Sequence, residues 1–234
     1  MQELPSDIEK DREGMMQKIV LTGGPCAGKS SALKAVKEHL VQKGYIVYII
    51  HETATELIKS GVDNKRNQRI FQPAHVELQI AKEDIIESIA EKEYGFPMWH
   101  KIIFLCDRGA IDAHAFCSDE DFAYVQRYTG YYEEDMLNRY DAVFHLDTAP
   151  KSSYTLANNE ARSETPSEAQ EVNERNFRVW KRHPYLVRIG NEDSFDKKIE
   201  KLLHAIDIFL GETKATGKDW KDANHLWFPS ILRT

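Results

Sequence analysis

The chain has 234 residues, of which 41% are hydrophobic and 29% are charged, as is typical of a soluble globular protein and not of a disordered one. Its formal net charge is −7, whereas nucleic-acid-binding proteins usually carry an excess of positive charge. We therefore expect no nucleic-acid partner, and we expect any polyanionic ligand to be small. The three cysteines lack metal-ligand spacing, and the acidic first segment is unlike a secretory signal. We therefore expect reduced thiols in a cytoplasmic protein with no transmembrane segment.

Short apolar runs alternate with longer amphipathic runs along the chain. Five apolar runs predict buried strands: KIVLT, YIVYII, KIIFLCD, AVFHL and YLVRI. Apolar residues at helical spacing predict helices over residues 29–41, 73–93, 168–182 and 195–211, with residues 119–140 helical in two pieces. Strands that are apolar on both faces need helices to cover both faces. This order therefore predicts a doubly wound α/β domain around a five-stranded parallel sheet.

We expect one domain over residues 17–211, preceded by an exposed N-terminal arm at residues 1–16. A polar segment follows the fourth strand, and we expect residues of about 148–176 to form a lid. Residues 212–234 form a polar tail with several large apolar residues, which include Trp220, Trp227, Phe228, Ile231 and Leu232. Such a tail either docks on its own domain or contacts a second subunit or a partner, and its composition leaves both open.

The residues between the first predicted strand and the first predicted helix carry a phosphate-binding pattern. Gly23 is followed by four residues and then by Gly28, Lys29 and Ser30, which is the spacing of a P-loop. Glycines let successive backbone N–H groups point inward at the positive end of the helix dipole. The pattern predicts a bound nucleoside triphosphate, with Lys29 on the β- and γ-phosphates and the Ser30 hydroxyl as a Mg²⁺ ligand. The predicted nucleotide-binding residues are Gly23, Gly24, Pro25, Cys26, Ala27, Gly28, Lys29, Ser30 and Ser31.

Charged residues follow the second and third predicted strands, at the sheet edge where ligands of open α/β folds bind. Glu52 follows the second strand, where its carboxylate is placed to accept the proton of an acceptor hydroxyl or to position Mg²⁺. Asp107 ends the third strand and is a candidate Mg²⁺ ligand, and Arg108 is a candidate for bridging phosphates or orienting Glu52. The alternatives are an ordinary acid at a helix N-terminus for Glu52 and a structural ion pair for the other two.

Three further regions hold weaker candidates. Arg162, in the polar segment, is our candidate for offsetting charge during phosphoryl transfer, the alternative being a solvated loop cation. Phe71 and Gln79 are substrate candidates, although an aromatic residue such as Phe71 is also typical of a core. We expect Asp112 and His114 to act as caps at the surface.

The stretches LTGGPCAGKSSAL, HETATELI, CDRGAIDAHAF and RYDAVFHL together resemble the NadR/TRPL-translocation-defect family of AAA-type P-loop proteins, over about residues 18–210. That family is allied in fold to deoxynucleoside and thymidylate kinases. The resemblance implies that residues 23–31 form the P-loop and that Glu52 acts as a base. It also implies an acid–arginine pair at Asp107–Arg108, a lid arginine at Arg162 and a place for Asn191 near the purine base. This chain has glycine at position 109, where nucleoside kinases usually have serine.

The family's members include ribosylnicotinamide kinase domains and a eukaryotic trafficking protein that binds GTP and phosphatidic acid. The resemblance therefore implies either of two functions. The first is a kinase that uses ATP and Mg²⁺ to phosphorylate a small nucleoside-like hydroxyl acceptor. The second is an ATP- or GTP-binding regulator of a partner or lipid that lacks small-molecule kinase activity. A binding domain that has lost catalysis is a third alternative.

Overall fold

A computed structural model describes residues 15–150 and 165–214. The sheet consists of five strands: β1 (Gln17–Gly23), β2 (Ile46–Ile50), β3 (Ile102–Asp107), β4 (Ala142–Leu146) and β5 (Leu186–Ile189). All neighbouring pairs are parallel, and the order across the sheet is β2-β3-β1-β4-β5. The predicted doubly wound α/β fold with a five-stranded parallel sheet is thus confirmed. Residues 1–14 of the N-terminal arm, residues 151–164 of the predicted lid, which include Arg162, and the tail from residue 215 onward lie outside the described residues.

Helices connect the strands in the described part of the chain. The α-helices are α1 (Lys29–Gln42), α2 (Thr53–Lys59), α3 (Gln68–Glu93), α4 (Asp119–Thr129), α5 (Glu133–Asn138), α6 (Pro166–Val179) and α7 (Phe195–Phe209). Short 3-10 helices span Met98–Lys101 and Ala110–Phe116. No helix in the described ranges is long and apolar enough to cross a membrane.

The sheet has one core on each face, because successive strand side chains point to opposite sides. Ile19 and Leu21 of β1 pack with apolar residues of α1 and α7, whereas Val20 packs on the other face with residues of α3 and of the segments between β3 and β5. Both β1 and β3 are buried along most of their length, as expected for central strands covered on both faces.

Two helices begin earlier than predicted, and one helix was not predicted. Helix α3 begins at Gln68, five residues before the predicted start at Pro73, because the Asn67 side chain accepts a hydrogen bond from the Arg69 backbone N–H at 3.0 Å and caps the first turn. Helix α2, directly after β2, was not predicted. Helix α6 begins at Pro166, so the described residues at the end of the predicted lid are helical and begin with a Thr165–Glu168 capping box.

The sheet order determines where a ligand-binding crevice forms. Strand β1 lies between β3 and β4, and its end is in register with theirs: Leu21 pairs with Asp107, and Gly23 pairs with Leu146. Helix α1 follows β1 on one face, and α6 follows β4 on the other. The loop after β1 therefore opens at the switch point of the sheet, next to the residues that follow β3.

Candidate phosphate-binding and acid–arginine site

The loop from Gly23 to Gly28 has a backbone that requires glycine at several positions. The φ angles of Gly23 and Gly28 are 138° and 86°, in the region that favours glycine. A Cβ atom on Gly24 would lie 2.3 Å from Thr148 Oγ1, and one on Gly28 would lie 2.4 Å from the Phe195 ring. The spacing found in the sequence is thus imposed both by the turn and by the elements packed around it.

The N-terminus of α1 is open to an anion. Gly28 caps the helix without a side-chain hydrogen bond, and the first turn contains no acidic residue. The side chains of Ser30 and Ser31 are exposed at this end of the helix. The first-turn N–H groups and the positive end of the dipole therefore favour a phosphate here, with the Ser30 hydroxyl beside it.

Lys29 is buried and points back into the loop. Its ammonium group donates hydrogen bonds to the backbone carbonyl oxygens of Gly23 and Gly24, at 3.2 Å each. The Gly24 N–H in turn donates to Asn173 Oδ1 of α6 at 3.2 Å. The loop is therefore held by Lys29 on one side and by α6 on the other, and the ammonium group of Lys29 lies against the loop backbone.

Glu52 and Arg108 form an ion pair at the ends of β2 and β3. Arg108 Nε donates to Glu52 Oε1 at 2.6 Å, and Thr55 Oγ1 donates to Glu52 Oε2 at 2.6 Å. Burial alone would raise the pKa of Glu52, but the positive charges of Arg108 and Lys29 outweigh it and lower the pKa to about 2. Glu52 is therefore a carboxylate at neutral pH.

Two buried polar atoms at the end of β3 have no hydrogen-bond partner among the described residues: Asp107 Oδ1, and Nη1 of Arg108 itself. Burial raises the pKa of Asp107, and the nearby charge of Lys29 opposes that rise. A carboxylate oxygen and a guanidinium N–H beside a phosphate-binding loop fit a magnesium-bound polyphosphate. Within residues 15–150 and 165–214, no cluster of three His, Cys, Asp or Glu side chains forms a metal site. Mg²⁺ held mainly by phosphates and water needs no such cluster.

Asp112 is fully buried, so the expectation that it caps a helix at the surface was wrong in its location. Its carboxylate accepts hydrogen bonds from Thr22 Oγ1 at 2.8 Å, from Trp180 Nε1 at 3.0 Å, from the Gly109 N–H at 2.9 Å and from the Asn176 side chain. It does cap the 3-10 helix, but it also joins that helix to β1 and α6. The short turn that carries Arg108 is held rigidly as a result.

Three other predicted residues lie on two different elements: Phe71 and Gln79 on α3, and Asn191 after β5. Phe71 and Gln79 are buried on α3. The Gln79 carboxamide accepts from Thr53 Oγ1 at 2.5 Å and donates to Glu83 Oε1 at 2.8 Å, so it bonds to protein groups. Asn191 follows β5, and its Nδ2 donates to the Thr148 carbonyl oxygen at 2.8 Å.

Lys198, which was not a predicted site residue, connects the P-loop to the loops after β4 and β5. Lys198 of α7 is buried, and its ammonium donates to Ala27 O at 3.2 Å, to Asn191 Oδ1 at 3.1 Å and to Asp147 O at 2.5 Å. Burial lowers the pKa of Lys198 to about 8, and the negative charge of Asp147 opposes the shift. Lys198 thus joins the P-loop to the residues that follow β4 and β5. One lysine within the charged run FDKKIEK carries no spacing that would predict this role.

Residues 18–198 match a family model described as an AAA domain. The matched range covers well over half of the chain and includes the P-loop, Glu52, Asp107 and Arg108. A comparison with curated proteins finds no match.

Proposed function

The chain belongs to the family of AAA domains, and on that premise we propose that it is a phosphotransferase. It uses a nucleoside triphosphate, ATP in the first instance, with Mg²⁺, and transfers the γ-phosphoryl group to a hydroxyl of a small nucleoside-like acceptor. The P-loop spacing supports nucleotide binding, because backbone N–H groups and the lysine of such a loop bind phosphates. The choice of transfer over hydrolysis rests on the residues beside it.

The observation that carries the proposal is the ionised Glu52 held 2.6 Å from Arg108, beside the buried Asp107. A carboxylate placed there accepts a hydrogen bond from an acceptor hydroxyl and directs its oxygen toward the transferring group. A pKa of about 2 makes Glu52 a weak base. Its role is therefore to orient the hydroxyl and take the proton late, which suits the loose transition state of phosphoryl transfer.

The remaining residues would hold the phosphates. The first-turn N–H groups of α1 and the Lys29 ammonium would contact the β- and γ-phosphates, and Ser30 and Asp107 would supply oxygen ligands for Mg²⁺. Bound Mg²⁺ neutralises charge that develops on the phosphates. Arg108 carries an N–H group without a partner in the described chain and is placed to donate it to the transferring group. Arg162 remains our candidate for an additional arginine from the lid.

A second candidate function is favoured by the hydrogen bonds that the Glu52 carboxylate already makes. Both of its carboxylate oxygens already accept hydrogen bonds, from Arg108 and from Thr55. A carboxylate that keeps both bonds when nucleotide binds retains one lone pair on each oxygen, and the nearby charge of Arg108 makes it a poor proton acceptor. The alternative is therefore a GTP- or ATP-binding regulator of a partner or lipid, without small-molecule kinase activity.

One experiment separates the two functions. The protein is mixed with Mg²⁺ and ATP or GTP, and the release of the nucleoside diphosphate is measured with and without each member of a nucleoside panel that includes ribosylnicotinamide. A phosphotransferase releases diphosphate faster with its acceptor and yields a phosphorylated acceptor by mass spectrometry. Rates that match the acceptor-free rate across the panel would favour the regulator.

A further inference from the structure

One buried side chain near the Glu52–Arg108 pair has a polar atom that no described protein group uses. His75 lies on α3 and is 3% exposed, and its Nδ1 atom is buried without a hydrogen-bond partner among the described residues. A buried, unpaired polar atom costs free energy, so such atoms are rare where they serve only the fold. His75 therefore calls for a partner that the described part of the chain does not supply.

The position of His75 on α3 places it on the helix face that turns toward the site. Phe71, His75 and Gln79 are four residues apart and share one face. Phe71 stacks on the His75 ring, with centroids 6.5 Å apart and the planes within 7°. Gln79, one turn further, reaches Thr53 at the start of α2 and also donates to the carbonyl oxygen of Arg108 at 3.4 Å.

The three side chains on this face differ in what they can still bind. Phe71 has no hydrogen-bonding group, and the Gln79 carboxamide is occupied by protein partners. His75 alone of the three keeps an unused hydrogen-bonding atom within the described chain. Burial lowers the pKa of His75 to about 4, while the charges of Asp112 and Glu52 oppose the shift and those of Arg108 and Lys82 add to it. The ring is therefore uncharged at neutral pH, even though charged groups surround it.

We propose that His75 determines acceptor specificity by forming a hydrogen bond through Nδ1 with an uncharged polar group of the molecule whose hydroxyl faces Glu52. This inference rests on the proposed phosphotransferase function. In an uncharged imidazole, Nδ1 offers one directed hydrogen bond, as a donor or an acceptor according to the tautomer, and no positive charge, so it matches the carbonyl, amino or hydroxyl group of a nucleoside. It gives no charge compensation to an additional phosphate. Because the group that bonds to Nδ1 is uncharged, we expect nucleosides to be better acceptors than their 5′-monophosphates.

The test uses the full chain with Mg²⁺ and ATP. The acceptors are adenosine, guanosine, cytidine, uridine, their 2′-deoxy forms and the matching 5′-monophosphates. KM and kcat are measured for the acceptor that accelerates ADP release most, together with KM for ATP. The variants are H75F, which keeps a ring but removes the hydrogen bond, and H75Q, which keeps a hydrogen-bonding group. H39F is the matched control, because His39 lies ten residues along α1 from Lys29, about 15 Å away, and pairs with Asp207.

We expect H75F to raise KM for the nucleoside about tenfold or more and to change KM for ATP less than twofold, with H75Q intermediate and H39F unchanged. A purely structural role would instead shift the urea midpoint of unfolding and both KM values together, and that result would overturn the inference. An unchanged nucleoside KM in a folded H75F variant, or faster turnover with monophosphates than with nucleosides, would also overturn it while leaving the phosphotransferase intact. If no acceptor accelerates ADP release, the proposed function fails and this inference falls with it.

Discussion

Arg108 donates from Nε to Glu52 Oε1 at 2.6 Å, although its own backbone has a φ of 72°, a left-handed value that is unfavourable for a residue with a side chain. The Arg108 N–H donates to Leu21 O at 3.0 Å, and the guanidinium lies over the Phe116 ring at 5.2 Å. Several contacts thus hold a strained residue in one place, as is common where a charged group must be positioned. The strained backbone of Arg108 and its ion pair with Glu52 together indicate that these two residues belong to the candidate reactive part of the site.

The first prediction concerns the Glu52 carboxylate. In a phosphotransferase, E52Q should reduce kcat for acceptor-dependent ADP release by about 10²–10⁴-fold, because an amide cannot accept the hydroxyl proton. Nucleotide affinity, measured by fluorescence titration with a labelled ATP analogue, should change little. E56Q is the control, since Glu56 lies on α2, directly after Glu52 in the chain, and pairs with Lys82 at 2.8 Å. Equal kcat values for E52Q and the wild type would rule out Glu52 as the proton acceptor.

The second prediction is a pH dependence of stability. The folded pKa of Glu52 is lowered to about 2 from an ordinary value of 4.5, so its ionised form stabilises the fold above pH 4.5. That stabilisation is lost as the pH falls from about 4.5 toward 2. Between pH 6 and pH 3 the loss should be at most about 2 kcal/mol, and less where solvent screens the partly exposed carboxylate.

The measurement compares urea unfolding of the wild type and E52Q at several pH values between about 3 and 7. The wild type should be the more stable of the two at pH 6, and the difference should shrink steadily below pH 4.5. A difference that stays constant across this range would mean that the pKa of Glu52 is the same in the folded and unfolded states.

The third prediction concerns the P-loop lysine. K29A removes the ammonium group that donates to Gly23 O and Gly24 O and that we propose to contact the phosphates. Because charge-assisted bonds to phosphate are strong, Kd for ATP–Mg²⁺ should rise by roughly tenfold to a hundredfold. K34A serves as the control, since Lys34 is exposed on the same helix and lies 4.0 Å from Glu38. Isothermal titration calorimetry with both variants decides the matter, and equal affinities would remove the basis for a phosphate site.

The parts of the candidate site that can be predicted from the sequence are those that depend on short spacing. A P-loop requires glycines at fixed intervals, so the spacing of Gly23 and Gly28 along the chain is enough to predict it. The ends of β2 and β3 are equally predictable, because each apolar run stops close to a charged residue. Fully buried strands leave a continuous apolar signature, which is why all five strands of the sheet were predicted.

The parts that were missed depend on contacts between distant segments. Asp112 reads as a surface acid because nothing nearby in sequence shows that Thr22, Asn176 and Trp180 donate to it. His75 lies within an ordinary amphipathic helix, and its unused Nδ1 appears only when its described neighbours are placed around it. Helix α2 is a seven-residue helix, too short for apolar spacing to reveal it.

The last prediction concerns Gly109, the position at which nucleoside kinases usually have serine. A Cβ atom at this position would lie 2.8 Å from the Trp180 ring and 2.9 Å from the Tyr140 ring, closer than real contacts allow. The Tyr140 hydroxyl accepts a hydrogen bond from the Ala110 N–H at 2.7 Å, and Trp180 Nε1 donates to Asp112, so neither ring moves freely.

We therefore expect G109A to lower the free energy of unfolding by about 1–3 kcal/mol through overpacking, as measured by urea denaturation. G95A is the matched control, because a Cβ atom on Gly95 would have no neighbour within 4 Å. Should G109A and G95A unfold at the same urea concentration, the two rings would have to be mobile. If G109A is destabilised as expected, the bulk of Trp180 and Tyr140 explains why a serine hydroxyl is absent beside Arg108. An acceptor must then be recognised by other groups, of which His75 is our candidate.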